Sequence, residues 1–443
     1  MTEKAISRVL IQTVGTGGPH NPVWEALVFS VRECRPDVLV QWCSKETLEK
    51  TVPRFEACLG KADRPGEIRR SACADPDNVD SLVLDYLAQI DSLRAEFPNA
   101  VLEVDFTSGT KPMSAAAVAA AVARRLPQLH YAVGPRDESG RVVKTESLMS
   151  LDTGQMVAER LLCELGGLFN RGQFTAVCAQ AESLVPDLIA PTLRARAESL
   201  AYLAKVYELW DRFAWDKAFC LLRDYEKREK KSRCLSCAGW DCQKLAVQLA
   251  HVKRCKDGNV RPQRLADLLA NAKRRIDQGR YDDAAARLYR LTEYIAQVRF
   301  RVQFGIPKPD NPTSNVDIEV LARHAPRLAE TLGKESPLVE SRLTLGLRHT
   351  IDALAEAQDP IGRLMKDRYD APNPDAKGKG PLGELLDARN QSLLAHGAQP
   401  IQEQVATALC EEVTAILAEH FRIADIELAE LLKAATFLAC PWV

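Results

Sequence analysis

Apolar residues fall along this chain in two rhythms. Up to about residue 152 they come as short β-branched runs, each closed by a turn and followed by an apolar stretch of helical spacing. Val9, Leu10 and Ile11 belong to the first run, the turn Gly15-Thr16-Gly17-Gly18-Pro19 closes it, and residues 23–31 have the spacing of a helix. Residues 38–43 form a second run and lead through Ser44 into another helix. A third run, 101–106, precedes Thr107-Ser108-Gly109-Thr110-Lys111-Pro112 and an alanine-rich helix, and residues 129–133 form a fourth. Strands alternating with helices predict an α/β, Rossmann-like domain: a doubly wound parallel sheet that binds ligands outside the carboxyl ends of its strands. Both the glycine-rich and the hydroxyl-rich loop fall at that end.

Beyond residue 152 the strand signals stop, and Ala, Leu, Arg and Glu at helical spacing predict an all-α remainder. The charged run 226–233 and the turn Asp257-Gly258-Asn259 suggest a division into 1–152, a helical middle region 153–258 and a helical domain 259–443. Residues 270–304 read as a long helical hairpin. Stretches 305–315 and 369–383, rich in Pro and Gly, read as loops, and residues from Leu385 to about Leu432 as helix again.

A chain of 443 residues suffices for about three domains with their own cores. With 46% hydrophobic and 27% charged residues it is not disordered or collagenous. Lys and Arg number 59 against 60 Asp and Glu, a net charge of -1, so nucleic-acid or membrane binding cannot rest on a whole-molecule field. Any nucleic-acid chemistry must be local. The 13 cysteines, with a charged start at Glu3 and Lys4 and no apolar leader, point to a reducing cytoplasm. The longest apolar run, 114–123, is about half of what a spanning helix needs, so no membrane segment is expected.

The loop at Gly15 lacks a third glycine, since His20 stands there, and Cys43-Ser44 replace the acidic residue of a dinucleotide fingerprint. Ser108-Gly109-Thr110-Lys111 is not a Walker A loop either. The pair of loops still offers backbone N–H groups, the hydroxyls of Thr107, Ser108 and Thr110, and the Lys111 ammonium at a helix N-terminus, which suits a nucleotide or phosphodiester. Structural turn residues are the competing reading.

Near the C-terminus stand Arg389, Asn390 and His396. On a continuous helix, Arg389 and His396 would share one face roughly 10 Å apart along the axis. Comparable Arg/His spacings occur by chance at Arg124 and Arg125 with His130, and at Arg342 with His349, but only the last pair has Asn390 beside it and a loop before its helix. Cys234, Cys237, Cys242, His251 and Cys255 raise a zinc site, yet the stretch from Asp241 reads as continuous helix. Free helical cysteines and no metal are therefore expected. The basic runs 227–233 and 273–275 read as solvated helix surface.

Three stretches carry a resemblance. Residues 105–113, from Asp105 to Met113, are similar to the phosphate-loop signature of CRISPR-associated CARF proteins. Residues 272–297, with Gly279, Arg280, Tyr281, Asp282, Asp283 and Tyr289, resemble the helical segment that follows in that family. Arg389-Asn390 through His396 matches the R-x(4-6)-H motif of HEPN ribonucleases. The resemblance to CARF–HEPN ribonucleases of type III CRISPR systems spans nearly the whole chain in the expected order. It implies a Rossmann-like CARF domain followed by an all-α region ending in a HEPN domain. It also implies a homodimer that cuts single-stranded RNA without metal or cofactor when cyclic oligoadenylate binds.

By that resemblance the activator is held by Gly15, Thr16, Gly17, Gly18, Asn21, Ser44, Thr107, Ser108, Gly109, Thr110 and Lys111. His396 assists proton transfer, Arg389 stabilises the charged phosphorane, and Asn390 orients the phosphate or the histidine. Some CARF domains also cleave their activator, and the loop 107–111 fits either fate. The long middle region with its cysteines departs from the generic pattern. A nonenzymatic nucleotide sensor binding a protein or DNA partner is the alternative. Against it stand the acidic C-terminal surface of Glu411, Glu412, Asp425, Glu427 and Glu430, and the lack of a basic recognition helix. A metabolic α/β enzyme is a third reading, for which the first 150 or so residues carry no catalytic constellation.

Overall fold

The computed structural model describes residues 6–17, 22–135, 144–188, 190–232, 234–257, 261–306, 311–335, 342–370, 380–392 and 397–443. Two compact units divide the chain: Met1–Glu164 with Leu184–Arg194, and Leu165–Ser183 with Ala195–Val443.

The first unit follows the order β1 (Arg8–Thr13), α1 (Val23–Cys34), β2 (Val38–Cys43), α2 (Lys45–Lys50), α3 (Val52–Cys58), β3 (Glu67–Ala72), α4 (Val79–Glu96), β4 (Val101–Asp105), α5 (Lys111–Ala123), β5 (Gln128–Val133) and β6 (Ser147–Asp152). The six strands pair in the order β3-β2-β1-β4-β5-β6. β1 to β5 run parallel, and β6 is antiparallel to β5. This is the doubly wound sheet expected from the alternation of strand and helix. Its switch point lies between β1 and β4, which are neighbours in space and far apart in sequence.

β2 is buried at every position and β1 at all but its first, as near-continuous apolar strands must be when both faces are covered. One face packs Val9, Ile11, Val40 and Val104 against α4 and α5, with Trp42 stacked on Tyr86 at 3.7 Å. The other packs Leu10 and Leu39 against Leu27 and Val31 of α1 and Phe55 of α3. β3 and β6 do not appear in the sequence pattern, because both are edge strands of mostly exposed or half-buried residues with no apolar alternation.

Under α1 the sheet is not wholly apolar. Gln12, Gln41 and Arg70 are register partners on β1, β2 and β3, and Gln12 also faces Asp105 on β4. Gln12 Nε2 lies 3.2 Å from Asp105 Oδ2 and donates to Leu27 O of α1 at 3.0 Å, and Arg70 Nε donates to Gln41 Oε1 at 3.2 Å. A hydrogen-bonded polar seam thus crosses four strands.

The rest is helical: α6 (Thr153–Asn170), which passes from the first unit to the second, α7 (Phe174–Leu184), α8 (Pro191–Asp211), α9 (Trp215–Ser232), α10 (Cys234–Cys237), α11 (Cys242–Lys256), α12 (Pro262–Asp277) and α13 (Tyr281–Gln303). Then come the short strand β7 (Val316–Asp317), α14 (Ile318–His324), α15 (Pro326–Glu335), β8 (Arg342–Leu343), α16 (Leu347–Glu356), α17 (Pro360–Asp370), α18 (Pro381–Asn390), α19 (Glu403–Ile423) and α20 (Leu428–Ala435). α12 and α13 form the expected hairpin around Gly279. Their apolar faces join those of α16 to α19 in one core that includes Leu288, Ile295, Ile351, Leu386, Leu409 and Leu417.

The stretch expected as helix from Leu385 to about Leu432 holds three helices, α18, α19 and α20. α18 stops at Asn390, Ser392 N donates to Arg389 O, Gly397 N donates back to Ser392 O at 3.1 Å, and α19 begins only at Glu403. Pro400, which has no N–H and pushes Gln399 toward extended backbone, keeps any helix before it from running on into α19. Ser392 and Gln399 form an isolated bridge instead.

Within the helical core His420 of α19 is buried near Arg299 and Asp359, which pair at 2.9 Å while Asp359 also accepts from Ile361 N and Gly362 N at the start of α17. Burial first, and the Arg299 cation second, hold the His420 pKa down to about 4 despite the Asp359 carboxylate. The folded value lies below the ordinary 6.5, so the unfolded chain takes up this proton first as pH falls. Stability present above pH 6.5 is therefore lost between 6.5 and about 4, on the order of 3 kcal/mol in full. Urea unfolding across that range is expected to show this loss, and His420→Gln to flatten it.

Candidate functional site

At the switch point the loops after β1 and β4 clasp each other. Gly15 N donates to Ser108 Oγ at 2.7 Å, Ser108 Oγ donates to Thr13 O at 3.1 Å, and the Thr13 hydroxyl donates to the Ser108 carbonyl. Thr51 Oγ1 lies 2.9 Å from Gly15 O and 2.7 Å from Thr16 O, so α3 supports the first loop from below. The contact is tight enough that a Cβ on Gly15 would stand 2.6 Å from Gly109 N, and Gly109 itself has φ +109°.

The hydroxyls read from sequence as ligand donors hold the loop together. Thr107 N donates to Asp105 Oδ1 at 2.9 Å, its hydroxyl donates to the same carboxylate, and it accepts from Ala132 N at 2.8 Å. Asp105 is fully buried, and burial raises its pKa against the pull of the Thr107 and Gln12 hydrogen bonds. Thr110 caps α5 by accepting from Met113 N at 3.2 Å and donates to Pro76 O at 2.8 Å. Ser44 caps α2, exchanging hydrogen bonds with Thr47. Gly17 and the Lys111 side chain are exposed, and Lys111 makes no ion pair with a described residue. Gly18 and Asn21 lie outside the described residues. The loop is thus a hydrogen-bonded rim whose outward features are a cation and a helix N-terminus.

The second candidate lies in the last turn of α18. The Arg389 guanidinium sits over the Tyr289 ring of α13, 4.1 Å from its centroid, and donates to Asn390 Oδ1 at 3.1 Å. Burial, and then Glu293, raise the Tyr289 pKa. Arg389 and Asn390 are half-buried and adjacent, while His396 lies outside the described residues. Tyr289 was not legible as a site residue, because a tyrosine on an amphipathic helix reads as core until the partner above its ring is known.

Among the described residues, the cysteines and histidine of the middle region form no group of three metal donors. His251 Nε2 is 3.8 Å from Asp267 Oδ1, buried Cys255 has its pKa pushed up by burial and by Asp267, and Cys237 is exposed. The Cys234 side chain lies outside the described residues. Among the described residues, three Cys, His or carboxylate donors come together at Cys34, Glu103 and His130 instead.

Residues 257–419 match the family model of the Csm6 HEPN domain, a span that contains Tyr289, Arg389, Asn390 and the position of His396. Enterococcus italicus Csm6 bound to cyclic hexa-2'-fluoro-hexa-dAMP is similar in structure over 97% of this chain and 99% of that one, at TM-score 0.60 and 13% sequence identity. The helical part of the chain is thus similar to a HEPN domain, and the chain shares the fold of that Csm6. No relative among curated proteins matches this chain. The six-stranded sheet carries the clasped loops, the helices within the matched span carry the Arg389 cluster, and no helix among the described residues is long and apolar enough to cross a membrane.

Proposed function

We propose that the chain is a cyclic-oligoadenylate-activated, metal-independent endoribonuclease acting on single-stranded RNA in type III CRISPR defence, in the cytoplasm. The observation that carries this reading is the HEPN match over residues 257–419 containing an arginine preorganised by Tyr289 and Asn390. In the reaction the RNA 2′-hydroxyl attacks the adjacent phosphorus and displaces the 5′-oxygen. His396 moves the proton, and Arg389 stabilises the charge that grows on the phosphoryl oxygens. A single strand is required because in-line attack needs a backbone free to rotate.

Activator binding belongs to the clasped loops, with Lys111 and the α5 N-terminus meeting the phosphates. The similar Csm6 is described as bound to a cyclic hexanucleotide analogue, which supports this assignment. The same unit supports a homodimer: α5 leaves an apolar groove lined by Phe106, Ala115, Val118, Ala119, Val122 and Met156, with Met156 52% exposed, and a second copy would cover it. Pairing across this face would bring two Lys111 side chains to one ligand. The activator then acts by favouring the dimer state in which the two HEPN sites are aligned.

The test is purified protein mixed with fluorescent single-stranded RNA and EDTA, with and without cyclic tetra- or hexaadenylate. Cleavage is expected only with one of the rings. Silence with both rings, or equal cutting without either, would overturn the proposal.

A further inference from the structure

The α/β unit buries a group of donors that activator binding does not use. Cys34 ends α1, Glu103 sits mid-way along β4, and His130 mid-way along β5. Their Sγ, carboxylate oxygen and imidazole nitrogen lie within 4.8 Å of one another, and all three residues are buried. Glu103 Oε2 and His130 Nε2 have no hydrogen-bond partner among the described residues, although the side chains are only 5% and 4% exposed. Two buried polar atoms that face each other without a hydrogen bond, with the Arg8 guanidinium 3.6 Å from Glu103 Oε2 as a further ionic neighbour, require an explanation.

Their separation supplies it. At 3.4 Å the two atoms are too far apart for a charge-assisted hydrogen bond, which is about 2.7–2.9 Å. Ligand atoms on a tetrahedral zinc ion, with bonds of about 2.0–2.1 Å to nitrogen and oxygen, stand about 3.3 Å apart. The other ring nitrogen of His130 points away: Nδ1 lies 2.9 Å from Ser150 Oγ, its register partner on β6. With the Nδ1 proton donated to that hydroxyl, the Nε2 lone pair faces Cys34 and Glu103, the outer-shell arrangement usual for metal-bound histidine.

We propose that Cys34 Sγ, Glu103 Oε2 and His130 Nε2 bind one zinc ion, with water in the fourth position, as a structural clamp between α1 and the centre of the sheet. A thiolate, a carboxylate and a neutral imidazole balance the dication, so the buried cluster carries no net charge. Arg8, half-exposed, stands at the edge with Nε 3.6 Å from Glu103 Oε2 and Nη1 donating to Cys34 O at 2.6 Å. It braces the carboxylate and the end of α1 from outside the cluster. The site is independent of the nuclease reading and leaves RNA cleavage free of metal.

Metal analysis of the full chain, purified from zinc-supplemented cells and dialysed, decides the matter. About one zinc per chain is expected in the wild type and in Cys237→Ala, and none in Cys34→Ser or His130→Gln. Because the last two variants alter buried side chains of the fold, the wild type is also loaded with Co2+. A thiolate-to-cobalt charge-transfer band with tetrahedral d–d bands supports the site, and X-ray absorption should show a single sulfur neighbour. A wild type that takes up neither ion, zinc retained by Cys34→Ser, or zinc lost from Cys237→Ala overturns the proposal.

Discussion

Replacing His396 with alanine is expected to slow activator-dependent RNA cleavage by about a hundred- to ten-thousand-fold while leaving cyclic-oligoadenylate affinity unchanged. The range is what a positioned general acid or base supplies near its operating pH. Arg389→Ala is expected to cost about a hundred- to a thousand-fold, as for the loss of one donor to a developing anion. Arg389→Lys should rescue little, since the planar guanidinium stacked 4.1 Å over Tyr289 and bonded to Asn390 has no equivalent in a flexible ammonium. The double variant should be barely worse than either single one, because the two groups act on one transition state. Single-turnover cleavage and calorimetric titration of the activator check these outcomes together. Cutting by His396→Ala at the wild-type rate would remove the HEPN assignment of these residues.

Gly15→Ala should disable the other end of the mechanism. Its added methyl would meet Gly109 N at 2.6 Å and Gly109 Cα at 3.2 Å, backbone atoms that cannot rotate aside. Relief requires the two loops to part, which breaks the Gly15 N to Ser108 Oγ bond and with it the rim in front of α5. The expected result is about 1–3 kcal/mol of lost stability and activator binding weakened at least about tenfold. Thermal unfolding and nucleotide titration read these two effects separately. Full affinity in a Gly15→Ala protein would show that the clasp does not shape the activator site.

Much of the α/β unit was legible because its central strands are apolar throughout and its loops are marked by glycine and hydroxyls. The edge strands β3 and β6 escaped because nothing covers their outer sides, so polar residues such as Arg69, Arg70 and Ser150 are tolerated there and erase the alternation. The end of α18 escaped for the opposite reason: residues 385–396 have good helical composition, and nothing in it marks the stop at Asn390. The hydroxyls of Thr107, Ser108 and Thr110 were visible as a cluster, but their use in holding backbone depends on Asp105, Thr13 and Pro76, which only the folded chain brings near. Cysteine spacing likewise drew attention to Cys234 and Cys237. The donors that do converge among the described residues lie on α1, β4 and β5, far apart in sequence and without a motif.

The polar seam beneath α1 divides the sheet energetically. The face under α4 and α5 is held by interdigitated apolar side chains and the stacked Trp42 and Tyr86. The face under α1 commits Gln12, Gln41 and Asp105 to hydrogen bonds that water can replace once the helix lifts. Without an ion at Cys34, Glu103 and His130, local opening of α1 therefore takes less free energy than local opening of α5, and its amides belong to a less protected exchange unit. α1 begins just after the loop proposed to face the activator, so in the ion-free chain the helix next to that loop is also the softer layer of its domain.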